Sequence, residues 1–335
     1  MRDMKREFFI LPVLNILFLF LITGCKMENT QHIEEGYADV NGIKLYYKIF
    51  GRGDPIVILH GGPGFDHNSI IQLKELADEH RVIFYDQRAS GNSSGEADST
   101  SITVDNFVED LEGLRNYLKL DKINIVGFSW GATLAMFYAA KYHENIKSLV
   151  IVSTGGASKD YFNDYFNTLK SRTTAEDRET MLEIEQSDSF RNNEDRAVRQ
   201  YWRLILKPFF KDKSMINKFD LTFGKNTTKN QAAIGQLLMD DRGDYDMHKD
   251  LEVIDCPALI LHGTYDAFPC EAAYRVHKHI PSSKLVILED AGHFMFIDAH
   301  DRFFQLIRRF LKDNKSVDNF IPDYLRDKLD SVNLN

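Results

Sequence analysis

Residues 123–140 read INIVGFSWGATLAMFYAA, an apolar stretch interrupted by Gly127-Phe128-Ser129-Trp130-Gly131. A serine with glycines two positions before and two after it, behind a strand-like run and ahead of a helix-like one, has the setting of a nucleophile elbow. A tight strand-to-helix turn strains the central residue and crowds the positions on either side, which must then be nearly free of side chain; Gly127 and Gly131 meet that need. A serine N-cap with packing glycines explains neither the spacing nor the companion residues farther along the chain.

A serine hydroxyl attacks only with a base to take its proton, and the base must be oriented by an acid. After such an elbow the acid, then the histidine, come from later strand ends. Asp266 follows the run ending Leu261-His262-Gly263, and His293 follows the run ending Leu288-Glu289-Asp290. Both are placed at the edge where Ser129 emerges. His262 precedes the acid, His277, His279 and His300 fall in helical stretches, and Asp290 is too near His293 in sequence to face it. Acyl transfer also needs donors for an oxyanion. The amide of Trp130 is the expected first donor, and Gly62 in His60-Gly61-Gly62-Pro63-Gly64 the second. A phosphate cradle is the rival for that glycine-rich loop, but no G-x-x-x-x-G-K-[ST] accompanies it. No Cys/His spacing points to zinc, and no metal site is expected.

The elements that must position these residues alternate. The runs 55–62, 80–86, 123–127, 148–153, 257–263 and 284–290 predict buried parallel strands. Asn41-Gly42 between two alternating runs predicts a hairpin. Helices are expected over 70–78, 103–118, 130–142 and 298–312, giving an α/β sheet with helices on both faces. Residues 161–248 hold none of the apolar strand runs and read as an inserted helical cap between core segments 37–160 and 249–312, with a polar tail at 313–335.

The chain has 335 residues, 43% hydrophobic and 12% aromatic, enough for a sizeable core. A net charge of −9 and the lack of a basic patch argue against a nucleic-acid partner. Basic Arg2, Lys5 and Arg6, an apolar run over 8–22 and the sequence Thr23-Gly24-Cys25 read as an export signal. Ile-Thr-Gly-Cys resembles the lipobox of bacterial lipoproteins. That resemblance implies a signal over 1–24, lipidation of Cys25, a linker over 25–36 and anchoring of the exported protein to a membrane. Cys256 and Cys270 are expected as two unrelated thiols, although a disulfide is permitted outside the cytoplasm.

HGGPG, YDQRASGNSSG (85–95) and VGFSWGATLA (126–135), followed by Asp266 and His293, resemble the prolyl iminopeptidase branch of the α/β-hydrolases. The resemblance implies an α/β-hydrolase fold and a cofactor-independent serine hydrolase under a helical cap, releasing N-terminal residues from short peptides. Asp86, Gln87 and Arg88 would support the loop beneath the site. That family holds the substrate ammonium with an acid directly after the catalytic Asp and another in a cap stretch Gly-Pro-x-Glu-Phe. This chain has Ala267 at the first place and Ala232-Ala233-Ile234-Gly235-Gln236 in the second, and Ala89 replaces the first glycine of DQRGSG. Glu194 is the candidate substitute for the ammonium-binding acid. The alternatives to an aminopeptidase are an esterase, amidase or lactonase on small acyl substrates, and a catalytically silent surface binding module.

Overall fold

The computed structural model describes residues 32–332. Lys26–Gln31 and the segment that includes Cys25 lie outside the described residues. Strands β1 (Ile33–Val40) and β2 (Ile43–Phe50) form a hairpin through Asn41 and Gly42, both at positive φ (47° and 78°). They are followed by β3 (Pro55–Leu59), β4 (Arg81–Tyr85), β5 (Ile123–Phe128), β6 (Ile146–Val152), β7 (Ala258–Gly263) and β8 (Ser283–Leu288). The eight-stranded sheet has the order β1-β2-β4-β3-β5-β6-β7-β8; β1–β2 and β2–β4 are antiparallel and the remaining pairs parallel.

Side chains alternate across a strand, so the continuous apolar runs split into two cores. Val57, Ile83, Ile125, Leu149, Ile260 and Ile287 face one way, toward helices α1 (Val104–Tyr117) and α2 (Trp130–Tyr142). Ile58, Phe84, Val126, Val150, Leu261 and Val286 face the other. Between β6 and β7 the chain forms α3 (Phe162–Arg172), α4 (Ala175–Gln186), α5 (Asp188–Arg191), α6 (Asp195–Leu206) and α7 (Lys225–Arg242). An isolated bridge pairs Ser158 with Asp246 where this insertion leaves and rejoins the sheet. After it come α8 (Cys270–His279), α9 (Met295–Asp298), α10 (His300–Lys312) and α11 (Asp323–Asp330). Phe303, Phe304, Ile307 and Phe310 of α10 recur at helical spacing and bury against the second face.

The expected helix over 70–78 differs. Residues His67–Asp78 form 3-10 turns kinked at Ile70 (φ −135°, ψ 22°). The tail is more ordered than its polar composition implies. Phe320 N–H donates to Leu285 O (2.9 Å), Ile287 N–H donates to Phe320 O (2.8 Å), and Leu285 N–H donates to Asn319 Oδ1 (2.8 Å). These bonds cover the otherwise open edge of β8. Cys256 and Cys270 are both buried free thiols.

The elbow is packed without room for a side chain at either glycine. A Cβ on Gly127 would overlap the Gly131 carbonyl, and one on Gly131 would overlap the carbonyl oxygens of Leu59 and His60. Gly131→Ala is therefore expected to lose about 1–3 kcal/mol or more of stability through overpacking against backbone that cannot yield. Urea denaturation of the variant beside the wild type measures this, and an unchanged midpoint would contradict the packing described.

Candidate active site

Ser129 stands between β5 and α2 with φ 55° and ψ −119°, outside the helical and extended regions. Its side chain makes no capping hydrogen bond to the helix. The backbone is fixed instead: Ser129 N–H donates to Val152 O (2.9 Å), and Ser129 O accepts from Ala132 N–H (2.9 Å) and Thr133 N–H (3.2 Å). The hydroxyl is thus held at the sheet edge, half-buried and among the residues lining a cavity of about 160 Å³.

Asp266 and His293 meet in the folded chain. His293 Nδ1 lies 2.9 Å from both carboxylate oxygens of Asp266, and both side chains are buried. A carboxylate facing Nδ1 fixes the proton there and leaves Nε2 as the basic nitrogen. Burial works to raise the Asp266 pKa, but the charge and hydrogen bonds of His293, with the Phe268 N–H at 3.1 Å, hold the carboxyl below its ordinary value. The His293 ring is packed between Phe128 (5.0 Å between centroids) and Phe209 (5.1 Å). Its carbonyl accepts from Ser153 Oγ at 2.6 Å. Arg172 of α3 donates to the carbonyls of Tyr265 (2.9 Å) and Asp266 (3.4 Å) and stacks on the Tyr265 ring, so the cap braces the acid's loop.

Gly62 and Trp130 line the same cavity as Ser129. The loop can approach because Gly61 has no side chain; its Cβ would stand 3.1 Å from Ser129 Cβ. Gln87 ties the loop and the elbow together. Its Oε1 accepts from Trp130 Nε1 (2.8 Å), its Nε2 donates to His60 O (2.9 Å), and its backbone N–H donates to His60 Nε2 (3.0 Å). An acceptor at Nε2 requires the proton on Nδ1, which faces Gly61 O at 3.0 Å. His60 is neutral in this role, and burial pushes its pKa down to about 4. Its neighbours in the Asp86-Gln87-Arg88 run are equally committed: Asp86 accepts from His67 and Asn92, and Arg88 makes a two-pronged pair with Asp110 at 2.8 and 2.7 Å. Ala89 beside them stands at φ 59°, a left-handed conformation that costs a residue with a Cβ about 1–2 kcal/mol.

The competing residues have other partners. His262 Nε2 bonds Phe268 O, His277 bonds Ser283, His279 bonds Arg275 O, and His300 bonds Glu75 and Asp301. Asp290 is exposed and pairs with Lys211. Glu194 is not brought to the site. It is exposed at the start of α6 and does not line the Ser129 cavity. Among the described residues, Asp66, His67 and Asp86 bring metal-ligand atoms within 4.8 Å of one another. Those atoms already serve the protein: Asp66 accepts from Thr227 Oγ1 (2.6 Å) and Gly224 N–H (2.7 Å) of the cap, and Asp86 holds His67.

The cavity around Ser129 is walled by Phe162, Tyr165, Phe166, Phe268 and Met239, and among the described residues its one charged lining residue is Arg242 of α7. Among the described residues no carboxylate lines it. A second cavity, bordered by Asp164, Glu271 and the Asp266 segment, does not include Ser129. Sequence reasoning missed Arg242 and Arg172. Arg242 stands in the last turn of its helix ahead of Gly243, a place where a cation is usual.

The α/β hydrolase fold family matches residues 54–300, and the chain belongs to that family of hydrolase enzymes. Within it the chain is prolyl iminopeptidase-like. It is 31% identical over 288 residues to the proline iminopeptidase of Saccharolobus solfataricus, covering 84% of this chain and 93% of that protein. It is 29% identical over 299 residues to that of Lactobacillus acidophilus, covering 84% and 99%. Among solved structures, a thermophilic esterase from Thermogutta terrifontis superposes with a TM-score of 0.60 at 25% identity, covering 83% of this chain and 98% of that one. The proline iminopeptidase of Mycobacterium smegmatis shares the fold with a TM-score of 0.61 at 19% identity, covering 83% and 98%.

His60 supplies a pH prediction. Its folded pKa is depressed from 6.5 to about 4, so between those values the unfolded chain binds more protons. Stability is full above pH 6.5 and is lost as pH falls toward 4, by about 3 kcal/mol for this one fully buried group. His277, also lowered to about 4 by burial, acts in the same direction. Denaturation midpoints at pH 7.5, 5.5 and 4.5 should fall in that order, and the pH slope should be shallower in His60→Gln. An equal slope in the two proteins would contradict the assignment.

Proposed function

We propose that the chain is a serine hydrolase in which Ser129 attacks a carbonyl carbon while His293 Nε2 takes the hydroxyl proton. Asp266 keeps His293 in the Nδ1–H tautomer and stabilises the imidazolium that forms. The amides of Gly62 and Trp130 receive the oxyanion; protonated His293 gives its proton to the leaving group, and water hydrolyses the acyl-enzyme by the same steps. The observation that carries this reading is the symmetric Asp266–His293 contact, with the His293 ring packed on Phe128, next to a Ser129 that stands at positive φ and lines a cavity. We further propose that the protein is exported and lipid-anchored to a bacterial membrane at Cys25. Among the described residues no helix is long and apolar enough to cross a membrane.

Two substrate classes divide on whether a free ammonium is recognised. The relatives named proline iminopeptidase support release of N-terminal proline from short peptides. The cavity favours a small ester, amide or lactone instead. Burying an ammonium requires a carboxylate, Ala267 is a buried apolar residue, and the cavity's charged group is a cation. We take the second class as the better fit.

Kinetics on proline para-nitroanilide, its N-acetyl form and para-nitrophenyl butyrate separate the classes. The ester should be the best substrate, and acetylation should leave anilide turnover within about threefold. A strict need for the free amine would restore the aminopeptidase reading. For the mechanism, His293→Ala and Asp266→Asn should each lower kcat by about 10³–10⁴-fold with stability retained. Losses under tenfold would exclude them from the roles assigned.

A further inference from the structure

The wall of the Ser129 cavity carries a charge that the hydrolytic steps do not use. The Arg242 guanidinium lies 5.1 Å from the Trp130 ring centroid, 5.0 Å from Tyr245 and 5.7 Å from Phe162. Its Nε donates to Leu238 O at 3.0 Å and its Nη1 to the Tyr245 hydroxyl at 3.3 Å. Both partners are neutral, and among the described residues no carboxylate forms an ion pair with it. The acids nearby are taken. Asp160 pairs with Arg275 (2.6 Å), Asp244 with Lys159 (2.7 Å), Asp246 with His248 (2.6 Å), and Asp241 accepts from Val104 N–H (2.8 Å).

Arg242 also lines two cavities. One of about 470 Å³, bordered also by Lys159 and Asp160, shares Phe162, Phe166, Met239 and Arg242 with the cavity that holds Ser129. A substrate whose scissile carbonyl is at Ser129 therefore reaches Arg242 as it extends outward. Burial disfavours the charged guanidinium, lowering its pKa from the ordinary value, yet arginine keeps its proton in proteins. A half-buried cation flanked by aromatic faces and lacking an acid is a receptor for an anion, and the guanidinium fork matches a carboxylate in shape.

Resting on the reading of Ser129 as nucleophile, we propose that Arg242 binds a carboxylate of the substrate and makes this hydrolase selective for small acyl substrates that carry a negative charge. The carboxylate can belong to the acyl part or to the leaving group, and paired substrates distinguish the two. Mono-para-nitrophenyl glutarate against para-nitrophenyl butyrate places the charge on the acyl side. Para-acetoxybenzoate against para-acetoxybenzamide places it on the leaving side. In the wild type, the charged member of one pair should exceed its neutral partner in kcat/KM by tenfold or more. Arg242→Gln should lower that ratio about tenfold to a hundredfold, with partial recovery in Arg242→Lys. A fall of less than threefold, or no wild-type preference for either charged ester, overturns the assignment while leaving the hydrolase reading intact if neutral esters are still cleaved. Loss of all turnover dependent on Ser129 in the wild type would overturn both. Should the variants not fold, inhibition of the wild type decides: glutarate should compete at least tenfold more tightly than glutaramide, and equal inhibition overturns the proposal.

Discussion

The structure depends on how closely three pieces of backbone cross beneath Ser129. The end of β5, the first turn of α2 and the loop after β3 come together where a single Cβ on Gly127 or Gly131 would strike a carbonyl oxygen. That crossing has no room to relax, so it can hold Ser129 at φ 55° against the backbone's preference. It also brings the Gly62 loop to the serine's side. Strain at one residue and absent side chains at its neighbours are two consequences of one crowded point.

Buried polar bonds lock the crossing in register. Gln87 reaches the indole of Trp130 on one side and the carbonyl and ring of His60 on the other, so the two expected oxyanion donors are fixed relative to each other through one side chain. Such a network is valuable only when every group is satisfied, which requires a neutral His60 with its proton on Nδ1. The cap is fastened to the same region. Thr227 and Gly224 bond Asp66, and Asn230 donates to Ala89 O at 2.8 Å, just past the Asp86-Gln87-Arg88 run. Cap position and loop geometry are therefore coupled.

The sheet, the turn at Ser129 and the meeting of Asp266 with His293 were legible in the sequence because each depends on local, repeating rules. Apolar runs ending in Gly, Asp or Ser mark buried strands and their carboxyl ends, and the order of serine, acid and histidine along the chain follows from those ends. The cap's contribution was not legible. Arg242 matters because α7 folds back over the Trp130 ring, a contact between residues 112 apart in the chain that no periodicity encodes. Glu194 failed as a site candidate for the converse reason: a polar residue at a helix start usually faces water, and this one does. The tail's pairing with β8 runs through main-chain groups and an Asn319 side chain, which leave little trace in composition.

Around the elbow the cap supplies aromatic walls and, among the described residues, one lining cation, Arg242, and on these the proposed substrate class rests. That account rests on Ser129 being a nucleophile activated by His293. The most direct measurement is peptide mass spectrometry after treatment of the folded protein with a fluorophosphonate. The account predicts one phosphonyl adduct, on the peptide carrying Ser129, that is absent when His293 is replaced by alanine. A folded protein that takes up no adduct at Ser129, or takes it up equally well without His293, would contradict it.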